Sequence, residues 1–343
     1  MTWAPLLLAD PSPNLRLLVL RELLHRPTDD EEIRELGALR EQDPVIQNLL
    51  GLQDADGSWR SADGSGGSWH RIRTTTQALL GLGYLGFGPQ HPAVQRGAEY
   101  LFSHQRADGS WPLPKSKTER ELREPYSMIP LQTAMPLRGL AAAGYAADPR
   151  AERAYEWLLD QRLPDGAWPS GVKGGKHVFP AGYRRLAHSR HGCRTNTSLA
   201  LSALALHPRR RKSPSARQGL DLLLAQETLQ PSGTGFEVAR IIGAERSRGF
   251  FTYFARYDVA FVLDLCWRIG ASLEDGRVED LVRFVEGLQG PYGLWNHEPH
   301  PHVSRWVSFD LLRSLSRLDE QTDWVSLEPR TPFQPYPKHA KRY

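Results

Sequence analysis

The sequence predicts an all-α fold, an (α/α)5–6 toroid in which paired helices form concentric inner and outer layers. The first observation behind this prediction is a recurring turn, written "QDADGSW", "QRADGSW", "QRLPDGAW" and "QGPYGLW" and ending at Trp59, Trp111, Trp168 and Trp295. The second is that an amphipathic segment precedes each turn and a more apolar one follows it. Repetition at a fixed period is typical of stacked helical pairs.

The four tryptophans are separated by 52, 57 and 127 residues, so the last gap holds about two repeats. The stretch "LLLAQETLQPSGTGFEV" fills it as a worn copy, with Phe236 where the tryptophan would stand. Five copies therefore account for most of the chain.

The segments before the turns are predicted to be outer helices, because their apolar residues lie on one face and their Asp-Pro, His-Pro or Pro-Ser starts suit a first helical turn. They are predicted over 91–105, 148–161, 214–227 and 276–289.

The segments after the turns are predicted to be inner helices. Their small residues and wide apolar surfaces indicate packing on most sides, which favours closure into a ring. They are predicted over 73–87, 130–145, 196–207, 257–270 and 305–318.

We expect three parts along the chain. Residues 1–43 complete the ring, with 14–26 as a sixth inner helix and 29–53 as its outer partner. The toroid repeats span 44–318. The tail over 319–343 is rich in proline and is expected to be extended.

The turn itself is interpreted as structural. Asp and Gly accept tight turn geometry, Gly through its freedom at positive φ. We expect the glutamine at the helix end to hydrogen-bond the exposed backbone and the tryptophan to stack over the corner.

Composition restricts the class of protein. In the 343 residues, 24% are charged and 40% apolar, as in an ordinary folded protein. The two cysteines, Cys193 and Cys266, favour a reducing compartment, and no apolar run approaches the roughly 18 residues of a membrane span. With no leader at the start of the sequence, the expected location is cytoplasmic.

The net charge of +4 is concentrated in the basic runs 182–194, 208–212 and 337–343. These runs are interpreted either as a surface for anionic partners or as solvated loops. No nucleic-acid-binding motif accompanies them, so nucleic acid is not an expected partner.

The repeated Gln, Asp-Gly and Trp over residues 44–318 resemble the repeats of squalene–hopene and other class II terpene cyclases and of the protein prenyltransferase β-subunit. The resemblance implies an α/α toroid that holds an isoprenoid in a central cavity. Fold likeness alone does not decide activity.

Class II cyclases carry an Asp-x-Asp-Asp signature at the start of an inner helix, and the matching text here is "ARYDVAFVLDL". The resemblance aligns Asp258 with its last Asp, but Tyr257 stands at the proton-donating position. A Tyr with a reference pKa of about 10 is a poor acid for an alkene. The signature is therefore lacking, and Asp258 and Tyr257 are the catalytic candidates that remain.

Prenyltransferases bind zinc through an Asp-Gly-Cys and a later His. Here "RHGCRTN" offers His191 and Cys193, and Asp258 could complete the set. Zinc is the only cofactor that the sequence suggests, with a structural Cys193 as the alternative and His191 as a further catalytic candidate.

In such toroids the inner-helix starts face the cavity mouth, where Arg and His would form an anion or diphosphate site. Scattered surface charges are the alternative. The predicted cationic residues are His70, Arg71, Arg73, His188, His191, Arg194, Arg256, His300, His302 and Arg305.

Aromatic side chains near the same starts are interpreted either as a cavity wall for a carbocation or as plain core. They are Trp69, Tyr126, Phe250, Tyr253, Phe254, Tyr257 and Trp306. The "HEPHPH" loop (297–302) is interpreted either as a metal site or as exposed polar spacing.

Three functions remain open. The first is an enzyme, a transferase or an isomerase or lyase, acting on an isoprenoid or another apolar substrate with an anionic or diphosphate end. The second is a non-catalytic toroid that binds a ligand or protein, and peripheral membrane contact is compatible with either. The third is a polysaccharide-active α/α barrel, which would need two opposed acids. The inner helices offer only Asp258 and Asp310 for that role.

Overall fold

A computed structural model describes residues 3–61, 68–111, 130–171, 185–225, 233–245 and 258–318. Within these ranges the secondary structure is helical, and extended pairing is limited to isolated bridges such as Gln53 with Trp59. The all-α fold class predicted from the sequence is confirmed. The contacts divide the chain into two units, whose described parts are 52–61, 68–111, 130–171 and 185–225 in one and 3–51, 233–245 and 258–318 in the other.

The unit that begins at residue 52 contains the first three repeats; we call it the regular unit. Its helices are α5 Ser68–Tyr84, α6 Pro92–Ser103, α7 Pro130–Leu140, α8 Pro149–Asp160, α9 Arg194–Ala205 and α10 Pro214–Leu224. The apolar helix α7 packs between α5 and α9, and α6, α8 and α10 pack on α5, α7 and α9 respectively. Every residue of α7 and α9 is buried, as predicted for inner helices.

The other unit, called here the divergent unit, contains the fourth and fifth repeats and the N-terminal helices. These are α1 Trp3–Leu8, α2 Pro13–Leu18, α3 Glu31–Leu39, α4 Pro44–Leu50, α11 Phe236–Ile241, α12 Val259–Ile269, α13 Gly276–Glu286 and α14 Ser304–Leu318. Helix α12 packs against α11, α13 and α14, and α2 packs against α3 around Leu17, Leu20, Ile33 and Leu36.

The helices before the turns begin where the sequence indicated. Asp148, Ser213 and Asp275 each accept a backbone N–H from the first turn of the helix that follows. Proline occupies the first position of α8 and α10, where no intrahelical N–H bond is lost.

Two helix predictions were wrong. The single outer helix expected over 29–53 is broken into α3, a 3₁₀ turn and α4, because Asp43 caps a new start at Pro44 and accepts from Val45 N–H. The stretch after Gly235, expected to be a worn turn, forms α11.

No helix in the described ranges has the length and apolarity that crossing a bilayer would require.

Candidate functional site

The Gln–Gly–Trp turns form a hydrogen-bonded brace between neighbouring repeats. Gln105 Nε2 donates to Gly109 O at 2.9 Å in its own turn and to Arg150 O at 2.9 Å in the next outer helix. Gln53 does the same with Gly57 O and Ala93 O. The structural role predicted for the glutamine is confirmed, and it extends to the following repeat.

The turn tryptophans are hydrogen-bonded through the backbone, and Trp111, Trp168 and Trp295 are also hydrogen-bonded through the ring. Trp168 N–H donates to Thr197 Oγ1 at 3.0 Å on the helix after the turn, and its Nε1–H donates to Leu158 O at 2.8 Å. The same backbone bond joins the other tryptophans to Thr75, Thr133 and Ser308. The partners are neutral hydroxyls in all four cases.

In the third repeat, Arg162 rather than Gln161 holds the glutamine's place. Aligned from the tryptophan, Arg162 corresponds to Gln105, and its Nε lies 3.4 Å from Gly166 O. Its guanidinium reaches Ser215 Oγ at 2.6 Å in α10. The written "QRLPDGAW" therefore sits one residue out of register with the other turns.

The fourth repeat keeps the brace geometry with different chemistry. Each turn has a glycine at positive φ two residues before the braced position, namely Gly57, Gly109, Gly166, Gly235 and Gly293. Counted from Gly235, the tryptophan position is Glu237, so the assignment of Phe236 to it was wrong by one residue. Glu237 N–H donates to Asp258 Oδ2 at 2.8 Å, which places Asp258 in the role of the hydroxyl.

Asp258 is buried, and its carboxyl group also accepts from Gly235 N–H at 2.9 Å. Burial raises the pKa of Asp258 to about 6, because desolvation disfavours the charged form more than the backbone N–H groups favour it. Asp258 therefore combines two properties: a carboxyl that can hold a proton, and donors arranged to stabilise the carboxylate once the proton has left.

More buried charge surrounds this position. Glu237 and Arg240 are 4% and 7% exposed and form a paired contact at 2.8 Å. On α14, Asp310 contacts Arg313, and burial raises the pKa of Asp310 to about 7, with a smaller contribution from the charge of Asp258. Asp258 and Asp310, the two inner-helix acids that the sequence offered, are thus both buried in the divergent unit.

The "HEPHPH" loop forms an imidazole cluster beside the same turn. His297 is 2% exposed, lies 3.1 Å from Thr234 O through Nδ1 and meets the Phe236 ring edge-on at 5.7 Å. Its ring centroid lies 5.8 Å from that of His300, whose Nε2 is 2.9 Å from Glu245 Oε2. The exposed-spacing interpretation is wrong for His297, although His300 is half-buried and His302 is exposed.

Of the cationic residues predicted at the helix starts, several bind acids of the chain. Arg71 Nη1 lies 2.9 Å from Asp54 and donates to Ser58 Oγ beside the first turn. Arg305 lies 3.2 Å from Asp10. These ion pairs give the anion-site prediction little support.

The other predicted residues are spread over the chain. Arg73 Nη2 lies 3.3 Å from His70 Nδ1, whereas Arg194 and Trp306 are buried in α9 and α14. His188 has a positive φ of 60° in the turns before α9. Six predicted residues fall outside the described ranges: Tyr126, Phe250, Tyr253, Phe254, Arg256 and Tyr257. The Trp69 side chain is also outside the description.

The proposed zinc ligands lie in different units, with His191 and Cys193 in the regular unit and Asp258 in the divergent unit. Cys193 is fully buried as the residue that precedes α9, while both Asp258 oxygens accept backbone N–H groups. In the part of the chain that the structure describes, no three His, Cys, Asp or Glu side chains are arranged to hold a metal ion. Zinc, with His191 among its ligands, stays a prediction that the geometry does not support.

The braced helix pairs define the class first: an all-α protein built from Trp-turn repeats. Residues 38–185, which include three of the turn tryptophans, match the family model of the squalene–hopene cyclase C-terminal domain. Human lanosterol synthase is 32% identical over 122 residues, 34% of this chain and 16% of that protein. The squalene–hopene cyclase of Zymomonas mobilis is 28% identical over 135 residues, 38% and 20% of the two chains.

These matches show that this part of the chain is similar in sequence to squalene–hopene cyclases and lanosterol synthases. The matched region spans a quarter or less of the length of these relatives. A type II terpene cyclase from Scytonema shares 16% identity over 79% of this chain and 94% of its own, with a TM-score of 0.32, too low to establish a superposition. The family-model match ends before the fourth repeat.

Proposed function

We propose that the protein is a terpene-cyclase-like enzyme that acts on an isoprenoid or another apolar substrate, with its acid chemistry in the fourth repeat. The observation that supports this most is the exchange of Trp and Thr or Ser, used at four braces, for Glu237 and Asp258. Burying two acids costs more than burying an indole and a hydroxyl, so folding alone does not explain the exchange.

In the proposed step, the Asp258 O–H bond breaks and the proton forms a C–H bond with an alkene carbon. The substrate becomes a carbocation and Asp258 a carboxylate. Burial raises the fraction of Asp258 that holds a proton before the step, and the Gly235 and Glu237 N–H groups stabilise the charge that develops. Loss of a proton from the substrate at the end makes the overall reaction an isomerisation or cyclisation.

A non-catalytic binding protein is the second candidate, and one observation favours it. Both oxygens of Asp258 accept backbone N–H groups, and one of these bonds replaces the bond that a threonine makes elsewhere. A side chain in this position could serve the fold alone.

Deuterium incorporation distinguishes the two candidates. The protein is incubated in D₂O with squalene, geranylgeraniol or geranylgeranyl diphosphate, and products are examined by mass spectrometry. We expect one deuterium in the product of the wild-type protein and none with Asp258→Thr, because Thr can accept Glu237 N–H but has no acidic proton.

Thr197→Ala is the matched control, since it removes the corresponding bond to Trp168 without touching an acid. It should retain deuterium incorporation per folded molecule. Binding of these lipids in native mass spectrometry, with no deuterated product from the wild-type protein, would instead establish the binding protein.

A further inference from the structure

One ring nitrogen of His297, Nε2, is buried and makes none of the contacts described above. Its Nδ1 faces Thr234 O at 3.1 Å, and a carbonyl oxygen can only accept, so Nδ1 carries the proton. Nε2 of the neutral ring is then a bare lone pair. That atom is buried and finds no hydrogen-bond partner in the described residues.

Such an atom is unusual. Buried polar atoms in folded proteins are nearly always paired, and an unpaired one costs about 1–3 kcal/mol. Imidazoles fixed at Nδ1 by a carbonyl are common metal ligands, but no metal-binding group of side chains is present among the residues described. Either an ordered water or a hydrogen-bond donor on a bound ligand can therefore pair with Nε2.

The surroundings select the kind of donor. The ring lies against the apolar edge of Phe236, and the turn that it holds is the one that Asp258 caps. The nearby carboxylate of Glu245 pairs with His300. Burial lowers the pKa of His297, which keeps the ring neutral. A lone pair beside a carboxylate repels a diphosphate and accepts a neutral hydroxyl.

We propose that His297 Nε2 accepts a hydrogen bond from a hydroxyl group of the ligand, so that the site takes an isoprenoid alcohol rather than an isoprenoid diphosphate. The isoprenoid part rests on the proposed function, and the hydroxyl part rests on His297. His297 is assigned to binding and does not take part in the proton transfer.

The test compares geranylgeraniol with its methyl ether, which keeps the oxygen atom but has no hydrogen to donate. Binding is measured by tryptophan fluorescence titration of the full chain near pH 7.5. We expect the wild-type protein to bind the alcohol about tenfold more tightly than the ether, the value of one hydrogen bond to a buried acceptor.

His297→Asn is the decisive variant, because an Asn amide N–H can still donate to Thr234 O while no atom replaces Nε2. It should bind alcohol and ether equally. His300→Gln is the matched control on the same loop, since His300 Nε2 already contacts Glu245, and it should keep the tenfold preference.

A preference that survives in His297→Asn, or tighter binding of geranylgeranyl diphosphate than of the alcohol by the wild-type protein, would overturn the inference. Equal binding of alcohol and ether by the wild-type protein would overturn it and leave the proposed function standing. No binding of the alcohol, the ether or squalene would overturn the proposed function as well.

A spectroscopic measurement on the wild-type protein covers the case in which His297→Asn does not fold. Imidazole ¹⁵N spectra should show His297 as the Nδ1–H tautomer, and its Nε2 signal should shift with the alcohol but not with the ether. An Nε2–H tautomer in the free protein would contradict the proposal.

Discussion

The third and fourth repeats make the same turn at a glycine, but a different chemical group accepts the backbone N–H that follows it. In the regular unit, the chain turns at Gly166 and the N–H two residues later donates to a threonine hydroxyl. In the divergent unit, it turns at Gly235 and the equivalent N–H donates to a carboxyl group. The backbone course is shared, while one turn is uncharged and the other contains buried ionisable groups.

The comparison shows which repeat gains stability from apolar packing and which one loses stability by burying charged groups. Trp168 is fully buried and covers Gly219 of the next helix, where an added Cβ would lie 3.1 Å from the indole ring. That contact gains apolar burial at no electrostatic cost. The fourth repeat gives up this gain at Glu237 and adds the desolvation of Asp258, so it is the weaker and the chemically richer of the two.

Removal of the Trp168 indole tests the packing of the third repeat, and we expect it to have the largest effect. We expect Trp168→Ala to lower the free energy of unfolding by about 3–5 kcal/mol, because it leaves a cavity and removes the bond to Leu158 O. Urea unfolding followed by circular dichroism measures it. Tyr292→Ala, at a ring that is 67% exposed, is the control and should stay within about 0.5 kcal/mol of the wild-type protein.

A loss below about 1 kcal/mol for Trp168→Ala would mean that the brace does not stabilise the regular unit, and the contrast between the repeats would disappear.

The stability cost of mutating the buried Glu237–Arg240 pair should depend on whether one residue or both are replaced. Glu237→Leu removes the carboxylate that pairs with the buried Arg240, and we expect a cost of about 3 kcal/mol. Replacing both residues by Leu should cost clearly less, because no charge is then left buried. Urea unfolding of the two single Leu variants and the double variant measures the coupling between them.

Additive costs in that cycle would show that Glu237 and Arg240 act independently, and the pair would no longer mark the divergent unit as electrostatically special.

The pH dependence of stability should separate Asp258 from a hydroxyl. The pKa of Asp258 is raised in the folded protein to about 6, so the folded state binds the extra proton and stability falls as pH rises through the window from about 4 to 6. Asp258→Thr removes this titration, and the difference between the two proteins should change by at most about 3 kcal/mol across the window.

Unfolding free energies at pH 4, 5, 6 and 7 check it, with Thr197→Ala as the control whose difference from the wild-type protein should not vary with pH. If the stability of the wild-type protein relative to Asp258→Thr instead increased with pH, the backbone N–H groups would outweigh burial in setting the pKa of Asp258.

The sequence predicts the regular unit well for a physical reason. Periodic apolar positions, helix starts such as Asp148-Pro149 and the Asp-Gly turns are all local signals, and their helices appear within a few residues of the expected bounds. The fourth repeat was misread because its register is set by the positive φ of Gly235 and by a bond to Asp258, 21 residues away along the chain from Glu237. Only the folded backbone reveals such a pairing.

The candidate site was predictable in part. Asp258 was found through the resemblance of "ARYDVAFVLDL" to the cyclase signature, but Arg240 and the buried Nε2 of His297 gave no sequence signal beyond an ordinary charged helix and a histidine loop. Residue type also does not show which helix-start arginines pair with acids of the chain, as Arg71 and Arg305 do. Counting two residues forward from the glycine of each turn would have identified Glu237 in the sequence.

The smallest effect concerns the glutamines of the braces and sharpens the comparison within one residue type. Gln105 Nε2 donates both to its own turn and to Arg150 O in the next helix, whereas Gln289 is exposed and donates to Gly293 O. We expect Gln105→Ala to cost about 1 kcal/mol and Gln289→Ala less than half of that, because a bond to water replaces an exposed one at little cost. Urea unfolding of the two variants side by side measures the difference. Equal costs would show that the link to the next repeat adds nothing, in which case each brace would stabilise only its own turn.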